Sequence, residues 1–382
     1  MHSPTTSLTP SQSSYRPDID GLRAIAVLAV VIFHASPRWL PGGFIGVDIF
    51  FVISGFLISG ILLDGLARSD FSYADFYARR IRRIFPALSL VLSATFLFGW
   101  YILLPDEFRQ LGKHVLASTG FIANLAFWNE AGYFDTAVEA KPLLHLWSLA
   151  VEEQFYILWP AVLIFAWRSK RVFFWTLFAI VVSFVVNVAL VKRHPDFAFY
   201  LPLTRVWELG AGALLAWWVR NRGARRLPAP LRSLLVLAGL VCIGAGLVLI
   251  NKNKSFPGYW ALYPVVGACL CIGSGPDTWI HRRLLGSRPF VLVGLISYPL
   301  YLWHWPLLAY ARVLQEGFAD PPRTWRMAAV AIAVVMAWLT YRFVEQPIRH
   351  RRRRGVVAGL VGAMVALGVL DDPVGQPRHY DG

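Results

Sequence analysis

The chain of 382 residues is 57% hydrophobic and only 15% charged, with a mean hydropathy of +0.52. A water-soluble protein carries about a quarter of its residues as charges, so a soluble fold is excluded, and the recurring apolar runs near twenty residues read as transmembrane helices. The net charge of +15 sits in short clusters between those runs, the pattern of the positive-inside bias, which argues against nucleic acid as a partner.

Residues 1–15, rich in Ser and Thr, read as a disordered cytoplasmic N-terminus without a cleavable signal pattern. The first apolar helix is expected over 21–36 (GLRAIAVLAVVIFHAS) and contains Arg23 and His34. Eleven positions at about 100° each place the two on one face, about 16 Å apart along the axis. Ionisable residues inside a membrane are functional candidates by default. A cation at one end and an imidazole at the other, facing one cavity, suggest a path through the membrane with chemistry at one end. The second span, 44–63, holds Asp48 near the depth of His34. This carboxylate either orients the imidazole as a general base, or caps a helix or pairs with a loop cation. A basic loop with Arg68, Arg79, Arg80, Arg82 and Arg83 precedes the third span, 84–104. Its arginines either anchor to anionic lipid or receive the phosphates of a donor, for which the chain has no P-loop or dinucleotide-binding glycine signature. The connection 105–143 contains an apolar stretch, 115–128, too short to span and read as re-entrant or interfacial.

In the fourth span, 143–166, His145, Ser148 and Glu152 share one helix face, while Glu153 and Gln154 point elsewhere. The two carboxylates either pair with Arg23 or Arg205 or take a catalytic or substrate-orienting role. Spans follow at 172–191 and 203–219, where Arg205 and Glu208 are spaced to pair with each other, then at 231–250 and 259–275. In the ninth, 290–311, His304 lies between two tryptophans, either as part of an interfacial belt or as a catalytic group. A tenth span at 326–346 and a thinner stretch at 356–370 precede a polar tail, 371–382. Alternating sides from a cytoplasmic N-terminus puts every dense Arg cluster inside, giving eleven spans with the C-terminus outside. Cys242, Cys269 and Cys271 read as packing residues, with no disulfide framework or metal site. No internal repeat is evident, which weakens a secondary-transporter reading. The expected fold is an all-α polytopic membrane protein with about 10–11 transmembrane helices around a polar cavity.

Seven motifs occur in one order: DGLRAIAVLAVVIFH, GVDIFFVISGFLI, FYARRIRRIFPAL, LLHLWSLAVEEQFYILWP, WELGAGALLA, ISYPLYLWHWP and VEQPIR. Together they resemble acyltransferase family 3, over about residues 15–370. The resemblance implies an enzyme of the bacterial inner membrane. It would move an acyl group, commonly acetyl, from cytoplasmic acyl-coenzyme A to a hydroxyl of an extracytoplasmic glycan such as lipopolysaccharide O-antigen, peptidoglycan or exopolysaccharide. Acyl-coenzyme A is then a co-substrate, with no permanently bound cofactor. The family's motif residues map onto Arg23 and His34, with Asp48, Glu152 and Glu153 as further matches. In the mechanism this suggests, Arg79, Arg80, Arg82 and Arg83 hold the donor phosphates, the pantetheine arm rises along the Arg23 face, and His34, oriented by Asp48, takes the sugar proton. A covalent acyl-His or acyl-Ser route is the alternative chemistry. Members with VEQPIR often continue into a periplasmic SGNH hydrolase-like domain, whereas this sequence stops at Gly382. The expectation is a stand-alone or a shortened version, with a separate SGNH-type transferase as a candidate partner. Two other classes stay open: a transporter or flippase using the same intramembrane residues as a proton relay, and a non-catalytic scaffold.

Overall fold

A polypeptide crossing lipid must satisfy its backbone internally, and a helix does so within one segment; the apolar runs above fold as helices, two of them broken into a pair. The computed structural model describes residues 15–131, 138–222, 227–315, 321–349 and 354–369. The expected tail at 371–382, and all of the N-terminal segment 1–15 except Tyr15, lie outside the described residues. In chain order the helices are α1 (Pro17–Ala35), α2 (Gly46–Arg68), α3 (Tyr73–Ile102), α4 (Pro105–Thr119), α5 (Ala123–Glu130), α6 (Leu146–Arg168), α7 (Val172–Leu190) and α8 (Pro195–Tyr200). They continue with α9 (Pro202–Arg222), α10 (Ala229–Leu249), α11 (Leu262–Gly273), α12 (Arg288–Leu295), α13 (Ser297–Val313), α14 (Arg323–Leu339), α15 (Gln346–Arg349) and α16 (Arg354–Val369), and no strand occurs among the described residues.

Among the described residues, six helices are long and apolar enough to cross a membrane, or up to seven if the bent pair α12–α13 is one span. Helices α1 and α9 have 19 and 21 residues, long enough at about 1.5 Å per residue for most of the apolar layer. They carry Asp18, Asp20 and Arg23, and Arg205 and Glu208, which lower their hydropathy although these side chains find partners inside the bundle. The protein is an all-α, multi-pass membrane protein.

Two expectations change. The basic segment before residue 84 is not a loop: α3 begins at Tyr73, capped by Ser72, whose side chain accepts from the Asp75 backbone N–H at 3.3 Å. The four arginines therefore ride on a helix, with Arg80 and Arg83 on one face. Among the described residues, the connection 105–143 holds two α-helices, α4 and α5, rather than one apolar segment.

α1 is buried on most sides and packs against α2, α12 and α13. α2 and α9 touch backbone to backbone: a Cβ on Gly55 would fall on the Leu209 carbonyl, and one on Gly212 on the Val52 carbonyl. Small residues permit this approach between membrane helices, and it sets Arg205 of α9 beside Asp48 of α2. In α6, Pro160 lacks the N–H that would meet the Tyr156 carbonyl; the Tyr77 hydroxyl of α3 donates to that carbonyl at 3.2 Å instead. Between α12 and α13 the axis bends by 64° at Ile296. Pro299, with no N–H for the Leu295 carbonyl, favours a break there, and the bend aims α13 into the bundle.

The α2–α9 contact yields a comparison. Gly212→Ala should destabilise the protein by about 1–3 kcal/mol through overpacking, seen as a lower melting temperature in detergent. Gly60→Ala, on the same α2 but with open space around it, should leave that temperature unchanged or slightly raised.

Candidate functional site

Two cavities lie along α1, one beside Arg23 and one beside His34. The first is lined by Arg23, by Arg80 and Arg83 of α3, and by Glu152, Glu153 and Tyr156 of α6. We call it the arginine chamber. The second, the larger of the two, is lined by His34, His145, Arg205, Trp305 and the polar segment 251–255. We call it the histidine chamber. The spacing of Arg23 and His34 does put both on cavity-lining positions, but in separate chambers.

His34 has a partner that its neighbours in sequence do not reveal. Its Nδ1 lies 2.9 Å from Nε2 of His304, and the two rings are 9° from coplanar. Nδ1 of His304 faces the carbonyls of Tyr301 at 2.7 Å and Leu300 at 3.2 Å. A carbonyl only accepts, so this nitrogen carries the hydrogen and Nε2 of the neutral His304 ring must accept. His34 then donates from Nδ1, and its own Nε2 is left with a lone pair, the form a general base requires. Trp305 packs edge-on against the His34 ring at 4.5 Å. His145 lies 5.7 Å from His304, centroid to centroid.

The expected pairing of Asp48 with His34 is corrected. Asp48 is fully buried and meets Arg205 at 3.3 Å, while Glu208 meets the same guanidinium at 2.8 Å. The rings of Phe51, Trp147, Phe199 and Phe256 surround that guanidinium at 5.5–5.8 Å, a favourable setting for a desolvated cation. The local Arg205–Glu208 pairing read from the spacing is present, and Asp48 joins it from α2.

Glu152 pairs with neither Arg23 nor Arg205. It accepts short hydrogen bonds from the Ser54 and Tyr156 hydroxyls. Arg23 pairs instead with Asp20, at 3.2 Å. Arg80 stacks over the Tyr156 ring at 5.8 Å. In the arginine chamber, Arg80 Nε, Glu153 Oε1 and Ser297 Oγ are buried without a protein hydrogen-bond partner among the described residues. Unmet polar groups of this kind suit a polar ligand. Arg79 and Arg82 line neither cavity, so only half of the basic cluster faces the chamber. Ser148 lines the arginine chamber and His145 the histidine chamber, although they are three residues apart.

The loop leading to His145 is held by a polar cluster that sequence reasoning missed. Glu130 accepts from Lys141 at 2.9 Å and lies 2.9 Å from His114 Nε2. Burial alone would raise the Glu130 carboxyl, but these two partners outweigh it and hold it at about 2. The Lys141 carbonyl in turn accepts from the Trp305 indole at 2.8 Å. Tyr301, Ser54 and Tyr156 were also missed. The helical offset of three between Tyr301 and His304 is a signal that could have pointed to the first.

A family model described as an acyltransferase domain matches residues 16–342. The chain is similar to the putative peptidoglycan O-acetyltransferase YrhL of Bacillus subtilis, with 32% identity over 88% of this chain and 55% of the relative. It is 31% identical to peptidoglycan O-acetyltransferase OatA of Listeria monocytogenes, over 88% of this chain and 56% of that protein. Against O-acetyltransferase OatA of Staphylococcus aureus the identity is 28%, over 88% and 58%. The chain thus spans little more than half the length of these relatives. No solved structure matches.

The Arg205 cluster makes a stability prediction. Arg205→Leu leaves two buried carboxyls without their cation and should cost about 3–5 kcal/mol, measured as lost thermal stability in detergent. Ser255→Ala, on the exposed rim of the same chamber, should change stability by less than about 0.5 kcal/mol.

Proposed function

The chain belongs to acyltransferase family 3, and from that premise we propose that it transfers an acyl group, acetyl first of all, from acyl-coenzyme A to a hydroxyl of an extracytoplasmic glycan. The observation that carries this reading is the His34–His304 pair, with the free Nε2 of His34 belonging to a ring that borders one chamber while an arginine-lined chamber lies at the other end of α1. The dense basic clusters fall at the helix ends on the Arg23 side, which supports a cytoplasmic face there. The relatives' names point to peptidoglycan as the acceptor to try first.

In this reading Arg80 and Arg83 bind donor phosphates, for which guanidinium forks are suited, and Arg23 borders the path of the pantetheine arm. Ser54, Ser148 and Ser297 supply hydroxyls along that path. The glycan enters the histidine chamber among Trp147, Phe199, Tyr200 and Phe256, with Lys192, Lys252 and Lys254 at its rim. His34 Nε2 takes the proton of the sugar hydroxyl as its oxygen attacks the thioester carbonyl. The C–S bond then breaks, the ester forms, and His34 Nε2 returns the proton to the coenzyme A thiolate. His304 accepts from Nδ1–H throughout, keeping the ring in place and favouring the transient imidazolium. Asp48, Arg205 and Glu208 shape the chamber wall rather than touching the reacting atoms.

The test is acyl transfer from labelled acetyl-coenzyme A by protein in native membranes. His34→Ala should lower the rate by about 10²–10⁴-fold, and His304→Ala, acting through His34, by about 10–100-fold, in line with losses of supporting hydrogen bonds. Arg80→Ala and Arg83→Ala should each raise KM for the donor about tenfold or more, the loss of one charge-assisted hydrogen bond, and Arg79→Ala less. Undiminished transfer by the His34 variant, or movement of a glycan lipid across the membrane without thioester cleavage, would overturn the proposal.

A further inference from the structure

For a thioester held from the arginine chamber to meet a hydroxyl in the histidine chamber, the two spaces must communicate. Among the described residues, only Val47 of α2 and Tyr301 of α13 line both. Beside them Phe51 on the arginine side packs edge to face on Trp147 on the histidine side, ring centroids 6.4 Å apart. Tyr301 is held at two points. Its hydroxyl donates to the His145 carbonyl at 2.8 Å and lies 2.6 Å from the Ser148 hydroxyl. Its backbone carbonyl accepts from His304 Nδ1, so this residue both borders the passage and seats the histidine pair. Val47 is nine-tenths buried, and its β-branched side chain has little rotamer freedom on a helix.

We infer that Val47 and Tyr301 frame the aperture through which the acyl group passes from donor to acceptor, and that its width determines which acyl groups are transferred. The inference rests on the transferase reading above. The thioester sulfur stays on the arginine side, the carbonyl carbon lies in the aperture, and reacting atoms must come within about 3–3.5 Å. The alkyl substituent on that carbon must cross the same gap to leave on the sugar oxygen. A small acyl group clears a rigid frame, whereas a longer one meets the Val47 methyls or the Tyr301 ring. Tyr301 is here a positioning and specificity residue, and it supplies no atom to the reaction.

The experiment offers acetyl-, butyryl- and octanoyl-coenzyme A to membranes from cells making the full chain, and reads acyl label in the glycan fraction and free coenzyme A thiol. The wild type should favour acetyl. Val47→Ala should raise the butyryl-to-acetyl ratio about tenfold or more, the scale on which a methylene or two is discriminated in an apolar pocket. Val47→Phe should reduce transfer of every acyl group at least tenfold while coenzyme A still binds with wild-type affinity, which shows that this variant is folded. Tyr301→Phe, losing both hydroxyl bonds, should raise thiol release in the absence of acceptor. An unchanged chain-length ratio in Val47→Ala together with wild-type transfer by Val47→Phe overturns the aperture. Absence of transfer from any acyl donor by the wild type overturns instead the transferase reading beneath it.

Discussion

The hydrogen bond from His34 to His304 joins two helices 270 residues apart in sequence. It leaves the first of them an imidazole whose Nε2 keeps its lone pair. The chain of donors is fixed from its far end: a backbone carbonyl of α13 can only accept, which dictates the tautomer of His304 and through it that of His34. Nothing charged is needed to hold this pair, an advantage within an apolar bundle, where an unpaired ion is costly. The bend at Ile296 and the close approaches of α1 to its neighbours follow the same need, because the two imidazoles meet only if α1 and α13 are held in one register.

The carboxylates answer to the same constraint differently. Asp48 and Glu208 converge on one guanidinium within a cage of aromatic rings, and Glu152 is held by hydroxyls. Away from these clusters stand buried polar atoms of the arginine chamber with no protein partner among the described residues. The bundle thus holds part of its polar content in paired clusters that brace walls, while other polar groups face the arginine chamber without a protein partner among the described residues. A buried cation cluster need not be part of the chemistry, since breaking it is costly for stability alone.

Much of this was legible in the sequence, for local reasons. Hydropathy marks the helices because lipid demands it, and the period of 3.6 residues places Arg23 and His34 on cavity-lining positions and Arg205 beside Glu208. What was not legible depends on contacts between distant segments. Asp48 and His34 share a depth, but which polar group each meets is decided by the packing of α2 on α9 through Gly55 and Gly212. The tryptophans flanking His304 resemble an interfacial belt, and only the fold shows Trp305 packed on His34 instead. The helical nature of the arginine segment was readable: Ser72 followed by Asp75 is a start signal, and it lies well ahead of the apolar run.

The central claim is that one imidazole is reached by a thioester from one side and an alcohol from the other. A structure of the protein bound to a non-cleavable thioether analogue of acetyl-coenzyme A tests it most directly. The account predicts phosphates on Arg80 and Arg83 and an acyl end that reaches between Val47 and Tyr301 to the His34 ring. An acyl end that stops short of that gap, or phosphates seated in the histidine chamber, would contradict it.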